Sequence, residues 1–338
     1  MRLSAQTLGS REEQLTNGVW KGPQQKSSAT PWITVAPVHE SWQLDSNLTQ
    51  PFQFDSEIDL RHIPSWLRNE TLLQYLSFFD RDTILTDSQF VWIAQYTASV
   101  DGEPDPEWEG QTPRGKQDRA KERIHFANLA MWLAYPSSAG YRVVLDLDKT
   151  NAKWAVRGSQ TRSRLIPLEL YKQNSFPMRK LLRAKELYAA LVALPTTSNL
   201  WPGLRSLWNA LTHQTWEVRF LQLWIVLESL FGSEDPQETT FRLAQRTAFF
   251  LSTERASAKT LFKQIKSGYH WRSRVVHGMQ PNQMRKLTTD KSNELSAEAE
   301  ELVRRSYVAI LLDPTLLATF ESPKKREAYL DDLVYSKP

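Results

Sequence analysis

The sequence predicts an α+β protein, in which a mixed α and β region precedes an all-α helical bundle. Before about residue 178, short runs rich in β-branched and aromatic residues lie between Pro, Gly, Asn or Asp, as strands do. After that point, apolar residues recur at the helical period and the connections are short. The chain has 338 residues, of which 41% are hydrophobic. This length is comfortable for two cores.

The first 177 residues divide into a polar start and a mixed domain. Residues 1–30 lack periodicity, so we expect a loose N-terminus. Residues 31–177 form the predicted mixed α/β domain, whose fold we do not assign. Its predicted strands are WITVAPV, FQFDSEIDL, YRVVLDLD and KWAVRG. Its predicted helices are SWLRNETLLQYLSFF and AKERIHFANLAMWLAYP.

Residues 178–338 form the predicted helical domain. A first helix, MRKLLRAKELYAALVAL, ends at Pro195, and the stretch from Trp201 to Gly232 is either one long helix or two in tandem. Three further helices are predicted at about 238–252, 255–277 and 294–312, with a short one after Pro323. Short connections favour antiparallel packing in a bundle.

The amino-acid composition excludes some classes of functional site and favours others. The chain has no Cys, which excludes disulfides, thiolate nucleophiles and Cys-based zinc sites. No signal peptide or membrane-spanning run is evident, so we expect a soluble cytoplasmic protein without membrane contact. Residues 1–150 hold 14 Lys and Arg against 20 Asp and Glu, whereas residues 151–338 hold 28 against 18. The excess of positive charge in the second part favours a polyanionic partner such as nucleic acid there.

Residues 263–278, KQIKSGYHWRSRVVHG, combine positive charge, aromatic rings and two imidazoles. We expect a helix that is broken at Gly268 and ends at Gly278. Arginine binds phosphate oxygens at any pH, and histidine exchanges protons near neutrality. The aromatic residues either stack on bases or belong to the core, and the core is the more common place. The candidate RNA-binding residues are Lys263, Lys266, Tyr269, His270, Trp271 and Arg274.

The run from Arg219 to Gly278 resembles the Apea-like branch of the HEPN superfamily. The resemblance rests on RFLQLWIVLESLFG, RLAQRTAFFLS and YHWRSRVVHG. It implies a helical domain that cleaves RNA without metal or cofactor, through an Arg-x4-6-His motif, usually across a dimer interface. Arg272 and His277 stand at the motif positions, which makes them the candidate catalytic residues. Many active members carry Asn, Asp or His after the motif arginine; here it is Ser273, which is common in the Apea-like branch.

The spacing of the motif residues constrains how they meet. Arg272 and His277 differ by about 140° in direction and about 7.5 Å in height on an ideal helix. They converge only if the arginine folds back, if the helix is distorted, or if a second copy supplies the other wall. In this hypothesis, His277 is the general acid or base on the ribose 2′-hydroxyl or the leaving 5′-oxygen, and Arg272 stabilises charge on the phosphate. Alternatively, His277 is a surface imidazole at a helix end.

Glu228 is the main supporting candidate, because it follows the apolar run LQLWIVL and needs a partner if buried. The candidate partners are Arg272, Arg246 and Arg219. The family commonly has an acid at this point and an arginine where Arg219 stands. We interpret Glu228 as a residue that orients an arginine. A looser match to the motif, Arg119 with His125, is interpreted as coincidence.

Two functions follow from these observations. The first is a metal-independent RNA endonuclease that uses the 2′-hydroxyl as nucleophile. Such an enzyme is typical of bacterial defence or toxin effectors, in which a regulatory protein or antitoxin is a partner. The N-terminal domain would sense a trigger or position the substrate. Because the family site is usually shared between copies, we expect a homodimer or a higher even assembly. The second is a non-catalytic HEPN-like dimer that binds RNA or a protein, with Ser273 marking a lost or weakened site.

Overall fold

A six-stranded antiparallel sheet is the centre of the N-terminal part. The computed structural model describes residues 30–38, 42–45, 48–98, 113–137, 140–150, 153–161, 175–213, 215–233, 239–278 and 287–336. The predicted loose N-terminus lies outside these residues. The strand order is β3-β4-β5-β1-β6-β7. The strands are β1 Thr30–Pro37, β3 Phe52–Gln53, β4 Ile58–His62, β5 Phe90–Ala98, β6 Val143–Thr150 and β7 Lys153–Thr161. A parallel pair, β2 Gln43–Leu44 and β8 Ser175–Phe176, forms a separate two-stranded sheet.

Strand β5 is central and was not among the predicted strands. It pairs with β4 on one side and with β1 on the other. Its residues Val91, Trp92, Ile93 and Ala94 are all buried, because both faces of the sheet are covered. A strand that is buried on both faces lacks the apolar and polar alternation of a half-exposed strand. The predicted strands WITVAPV, YRVVLDLD and KWAVRG are present, and FQFDSEIDL forms the hairpin of β3 and β4.

The two faces of the sheet are covered differently. On one face, residues such as Ile33, Val35 and Leu145 pack against Leu67 and Ile84 from the segment between β4 and β5. In this segment, α1 Glu70–Leu73 and α2 Phe78–Asp82 lie where one longer helix was predicted, and a π-helical turn at Thr83–Asp87 follows them. The other face is covered by α3, Pro113–Ala134, which corresponds to the predicted helix AKERIHFANLAMWLAYP.

Helices make up the second part of the chain, as predicted. The stretch from Trp201 to Gly232 is two helices, because the backbone is extended at His213. The helix predicted from residue 294 begins earlier, after Thr288, whose hydroxyl accepts the Lys291 N–H at 3.2 Å. The helices are α4 Leu181–Val192, α5 Trp201–Thr212, α6 Trp216–Phe231, α7 Thr239–Leu251, α8 Arg255–His277, α9 Thr289–Leu312, α10 Pro314–Phe320 and α11 Pro323–Ser336.

One buried core joins the sheet to these helices. It runs from Trp92 of the sheet through Ile124 of α3 and Leu187 of α4 to Leu227 of α6. Helix α3 contacts the sheet on one side and α4 and α9 on another. The boundary at residue 177 stays a prediction, and the core is continuous across it.

Candidate nucleic-acid interface

Helix α8, Arg255–His277, carries both predicted catalytic residues. Ala258, Ile265 and Gly268 are buried at helical spacing, and this stripe holds the helix against the protein. The helix ends where Gly278 adopts a φ of 83°, a conformation that glycine tolerates. Arg274 and His277 lie in the last turn, where the helix dipole favours positive charge.

The predicted break at Gly268 is wrong, because α8 is continuous through that residue. Gly268 faces the ring of Trp224 on α6. A Cβ atom at position 268 would lie 2.7 Å from the Cζ2 atom of Trp224, which is closer than van der Waals contact permits. The glycine therefore lets the two helices approach each other, and its role is packing between elements rather than interruption of a helix.

Arg272 faces inward, toward α6. Its Nη2 lies 3.0 Å from the Glu228 Oε1, so Glu228 pairs with one of the three arginines considered from the sequence. The Arg272 guanidinium also lies 5.4 Å from the centre of the Tyr269 ring. In the described part of the chain, the Nε and Nη1 atoms of Arg272 make no hydrogen bond, and the Nε atom is buried. Glu228 thus fixes one edge of the guanidinium.

Tyr269 and Trp271 both pack against the core, as aromatic residues on such a helix commonly do. The Tyr269 ring meets Trp224 edge to face, with 5.4 Å between ring centroids. Burial raises the pKa of the Tyr269 hydroxyl, and the Glu228 carboxylate raises it further, against a lowering by Arg272. Tyr269 therefore stays protonated near neutral pH. Trp271 is half-buried and supports the Arg274 guanidinium, 4.8 Å from the ring centre.

Arg219 and Arg246 do not partner Glu228, in contrast to one possibility raised by the sequence. Arg219 is buried, and its Nε–H donates to the Glu300 Oε1 at 2.8 Å. Arg246 is also buried; its Nη2–H donates to Asp331 at 2.7 Å and to Glu327 at 3.1 Å. These ion pairs tie α6 to α9 and α7 to α11. Buried charges are tolerated only when they are paired, and each of these two arginines is paired with a carboxylate from another helix.

The outward side of α8 forms a basic surface, which we call the lysine–histidine face: Lys263, Lys266, His270, Ser273 and His277. Their successive spacings of three, four, three and four residues place them on one side of a helix. Ser273 is half-buried and the other four are exposed. A pocket of about 410 Å³ opens beside this face, lined by Thr240 of α7 together with Lys263, Lys266, Ser267, Tyr269, His270 and Ser273.

Arg272 and His277 point in different directions within one chain. Arg272 is held against α6 by Glu228, whereas His277 is exposed at the end of the helix. No hydrogen bond joins them among the described residues. The helix instead aligns His277 with His270, seven residues earlier. The sequence shows this spacing as about two helical turns, but His270 lies outside the Arg-x4-6-His motif.

The two residues of the second, looser motif match have different surroundings. His125 lies on α3 with its ring centroid 3.4 Å from that of Trp208, and Arg119 is exposed. Among the described residues, no three His, Asp or Glu side chains are grouped so that they could hold a metal ion. None of the helices that the structure describes is both long and apolar enough to cross a bilayer.

Comparison with known proteins leaves the family undecided. No protein-family model matches the chain, and searches of curated proteins and of solved structures found no significant match.

Proposed function

We propose that this protein is a metal-independent RNA endonuclease of the HEPN type. The observation that supports this most is the lysine–histidine face, where one rigid helix presents two exposed lysines and two exposed imidazoles beside a pocket. A cationic surface attracts a phosphate backbone, and an exposed imidazole exchanges protons near neutral pH. The motif resemblance adds Arg272 to this set.

RNA binding is the first step. Lys263 and Lys266 are exposed one turn apart, and Arg274 lies further along the helix. Ammonium and guanidinium groups on one helix follow a strand of phosphates without reading its sequence. Tyr269 and Trp271, the candidates for base stacking, are half-buried and pack against the core, so we assign most of the contact with RNA to the charged groups.

The chemical step uses the RNA's own 2′-hydroxyl. In a homodimer, His277 of one copy accepts the proton of the 2′-hydroxyl, whose oxygen then attacks phosphorus. The bond from phosphorus to the 5′-oxygen breaks, and a water molecule gives that oxygen a proton and is restored by the proton that His277 took up. The products are a 2′,3′-cyclic phosphate and a 5′-hydroxyl. Arg272 stabilises the negative charge on the phosphate oxygens.

In this proposal, a second copy of the chain supplies the His277 that Arg272 of the first copy does not face. Since Arg272 points away from His277 of its own chain, its guanidinium serves a phosphate that is held by the other copy. Glu228 binds the Nη2 side of Arg272, and Nη1 makes no hydrogen bond with a described residue. Glu228 therefore orients the arginine and leaves its Nη1 group available for a phosphate oxygen. The family resemblance also supports a cytoplasmic defence or toxin effector under the control of an antitoxin or regulatory protein.

Cleavage of total cellular RNA in the presence of EDTA tests this proposal. Sequencing of the new ends identifies cyclic phosphates and 5′-hydroxyls, and substrates with a 2′-deoxy residue at the scissile position stay intact. We expect His277→Ala to abolish cleavage. We expect Arg272→Lys, which keeps the charge beside Glu228 but loses the planar fork, to reduce it at least about tenfold. Arg179→Ala and His213→Ala, which change exposed residues outside α8, are matched controls and retain activity.

The alternative is a dimer that binds RNA or protein without cleaving. The engagement of Arg272 by Glu228, away from His277, favours this candidate. Retention of RNA on the protein with no new ends would support it. Cleavage that requires Mg²⁺, or that survives the loss of both Arg272 and His277, would contradict the HEPN-type site.

A further inference from the structure

A large cleft lies between α3 and α5. Its volume is about 670 Å³, within the usual range for small-molecule sites. Strand β7 and the connection between α4 and α5 complete its walls through Gln160 and Thr196. From α3 it is lined by Asp118, Lys121, Glu122, His125, Phe126 and Leu129, and from α5 by Trp201, Leu204, Arg205, Trp208 and Asn209.

The floor of the cleft is aromatic. Phe126 and Trp201 stack across it with ring centroids 5.4 Å apart, and both residues are half-buried. Behind them, the rings of His125 and Trp208 are in contact. The Trp201 indole N–H donates to the Pro195 carbonyl at 2.7 Å, which fixes the orientation of that ring. A fixed, partly exposed aromatic surface suits a flat ligand, because stacking needs no side-chain rearrangement.

The α3 wall carries two exposed carboxylates. Asp118 and Glu122 form no salt bridge with a described residue, whereas their neighbours Lys121 and Arg123 are paired with Asp146 and Asp55. Carboxylate oxygens accept hydrogen bonds, so this wall suits a ligand edge that presents N–H donors.

The α5 wall has the opposite character. The Arg205 Nε–H donates to the Trp201 carbonyl at 3.4 Å, and the terminal nitrogens of Arg205 make no hydrogen bond with a described residue. Asn209 follows one turn later, and its side-chain amide is likewise free among the described residues. A guanidinium with free terminal nitrogens beside an amide suits an anionic oxygen group such as phosphate.

We propose that this cleft binds a guanine nucleotide. The base stacks on Phe126 and Trp201, its ring N–H and adjacent amino group donate to the two oxygens of Glu122, and its phosphate lies at Arg205. Guanine fits better than adenine, because two neighbouring donors match one carboxylate, whereas the corresponding edge of adenine offers one donor. The nucleotide is either free or the 5′-terminal residue of an RNA. None of the residues of this site belongs to the lysine–histidine face, so the site stands independently of the ribonuclease proposal.

Calorimetric titration of the full chain tests this site. The probes are guanosine monophosphate, adenosine monophosphate, guanosine, and short RNA oligonucleotides with a 5′-phosphorylated guanosine or adenosine. We expect guanosine monophosphate to bind at least about tenfold more tightly than either adenosine monophosphate or guanosine. Glu122→Gln should weaken binding of guanosine monophosphate by at least about tenfold, and Arg205→Gln should weaken the monophosphate but not guanosine.

The controls are chosen to match in charge and exposure. Glu186→Gln on α4 and Arg179→Gln before α4 remove the same charges from exposed positions outside the cleft and should leave binding unchanged. Stronger binding of the oligonucleotide than of the monophosphate identifies an RNA end as the source, and the reverse identifies a free nucleotide. Equal affinity for guanosine and adenosine monophosphates, no effect of Glu122→Gln, or no binding of any probe at millimolar concentration overturns the proposal.

Discussion

Two buried tyrosine hydroxyls have opposite surroundings. The Tyr188 hydroxyl donates to Asp55 at 2.6 Å, whereas the Tyr307 hydroxyl is fully buried and has no hydrogen-bond partner in the described part of the chain. We expect Tyr188→Phe to lower the free energy of unfolding by about 1 to 2 kcal/mol and Tyr307→Phe to leave it unchanged or raise it. Denaturant unfolding at neutral pH measures both, and a larger loss for Tyr307→Phe would contradict this assignment.

These tyrosines also predict the response to alkaline pH. Burial raises the pKa of Tyr307 well above its ordinary value, and burial and the Asp55 carboxylate raise that of Tyr188. The folded state therefore holds these protons more tightly than the unfolded state does. Stability from this source is complete below about pH 10 and falls above it, by about 1.4 kcal/mol per pH unit for each tyrosine. Unfolding titrations between pH 8 and 11 should show a shallower decline for Tyr307→Phe.

The sequence predicted that Glu228 needs a partner, but not which arginine that partner is. Glu228 was expected to need an arginine because it follows an apolar run, and Arg272 provides it. The sequence could not choose among the three arginines, since Glu300 and Asp331, which hold Arg219 and Arg246, lie more than 80 residues away along the chain. Selection of partners at that distance depends on how the helices pack, which local spacing does not encode.

At the scale of elements, the contact between α6 and α8 gives a further prediction. Gly268→Ala improves helix propensity by about 1 kcal/mol, yet its Cβ would meet the Trp224 ring at 2.7 Å. Overpacking of this kind costs about 1 to 3 kcal/mol, so we expect net destabilisation in denaturant unfolding. Ser267→Ala, on the exposed side of the same helix, is the matched control and should be neutral or slightly stabilising.

A double-mutant cycle separates this contact from other effects. Trp224→Leu removes the ring that the new methyl group would strike, so Gly268→Ala should cost less in that background than in the wild type. Equal costs in both backgrounds would show that the glycine acts through the helix itself, as the sequence interpretation assumed.

The sequence predicted those elements in which apolar residues recur on one side only. The helices of the second part were found because each has one apolar side, as in Leu204, Leu207 and Leu211 of α5. Strand β5 was missed, although burial on both faces did not hide the neighbouring strands β1 and β6, which were predicted. The break in α8 was predicted from the low helix propensity of glycine alone, whereas the reason for the glycine is the Trp224 ring of another helix.

At the scale of the whole molecule, the proposed catalytic site requires two copies of the chain. Arg272→Lys and His277→Ala proteins should each be inactive or nearly so alone, and a mixture of the two should regain activity. A mixed dimer holds one site with an intact Arg272 from one copy and an intact His277 from the other. After random exchange of subunits, the recovered activity should approach about a quarter of the wild-type value.

Sedimentation of the wild-type protein is the companion measurement. We expect a homodimer or a higher even assembly. A protein that is strictly monomeric and still cleaves RNA, or a mixture that recovers nothing while the wild type is dimeric, would contradict a site shared between copies.

The continuous core also affects how such a protein can evolve by recombination. Modular proteins exchange parts by recombination because each part carries its own core. Here α3 is wedged between the sheet and α4, so a crossover near residue 177 would join an α4 surface to a neighbour it was not shaped to fit. We therefore expect the sheet and the helices to be inherited as one unit, with diversity arising by substitution at exposed positions rather than by replacement of either half.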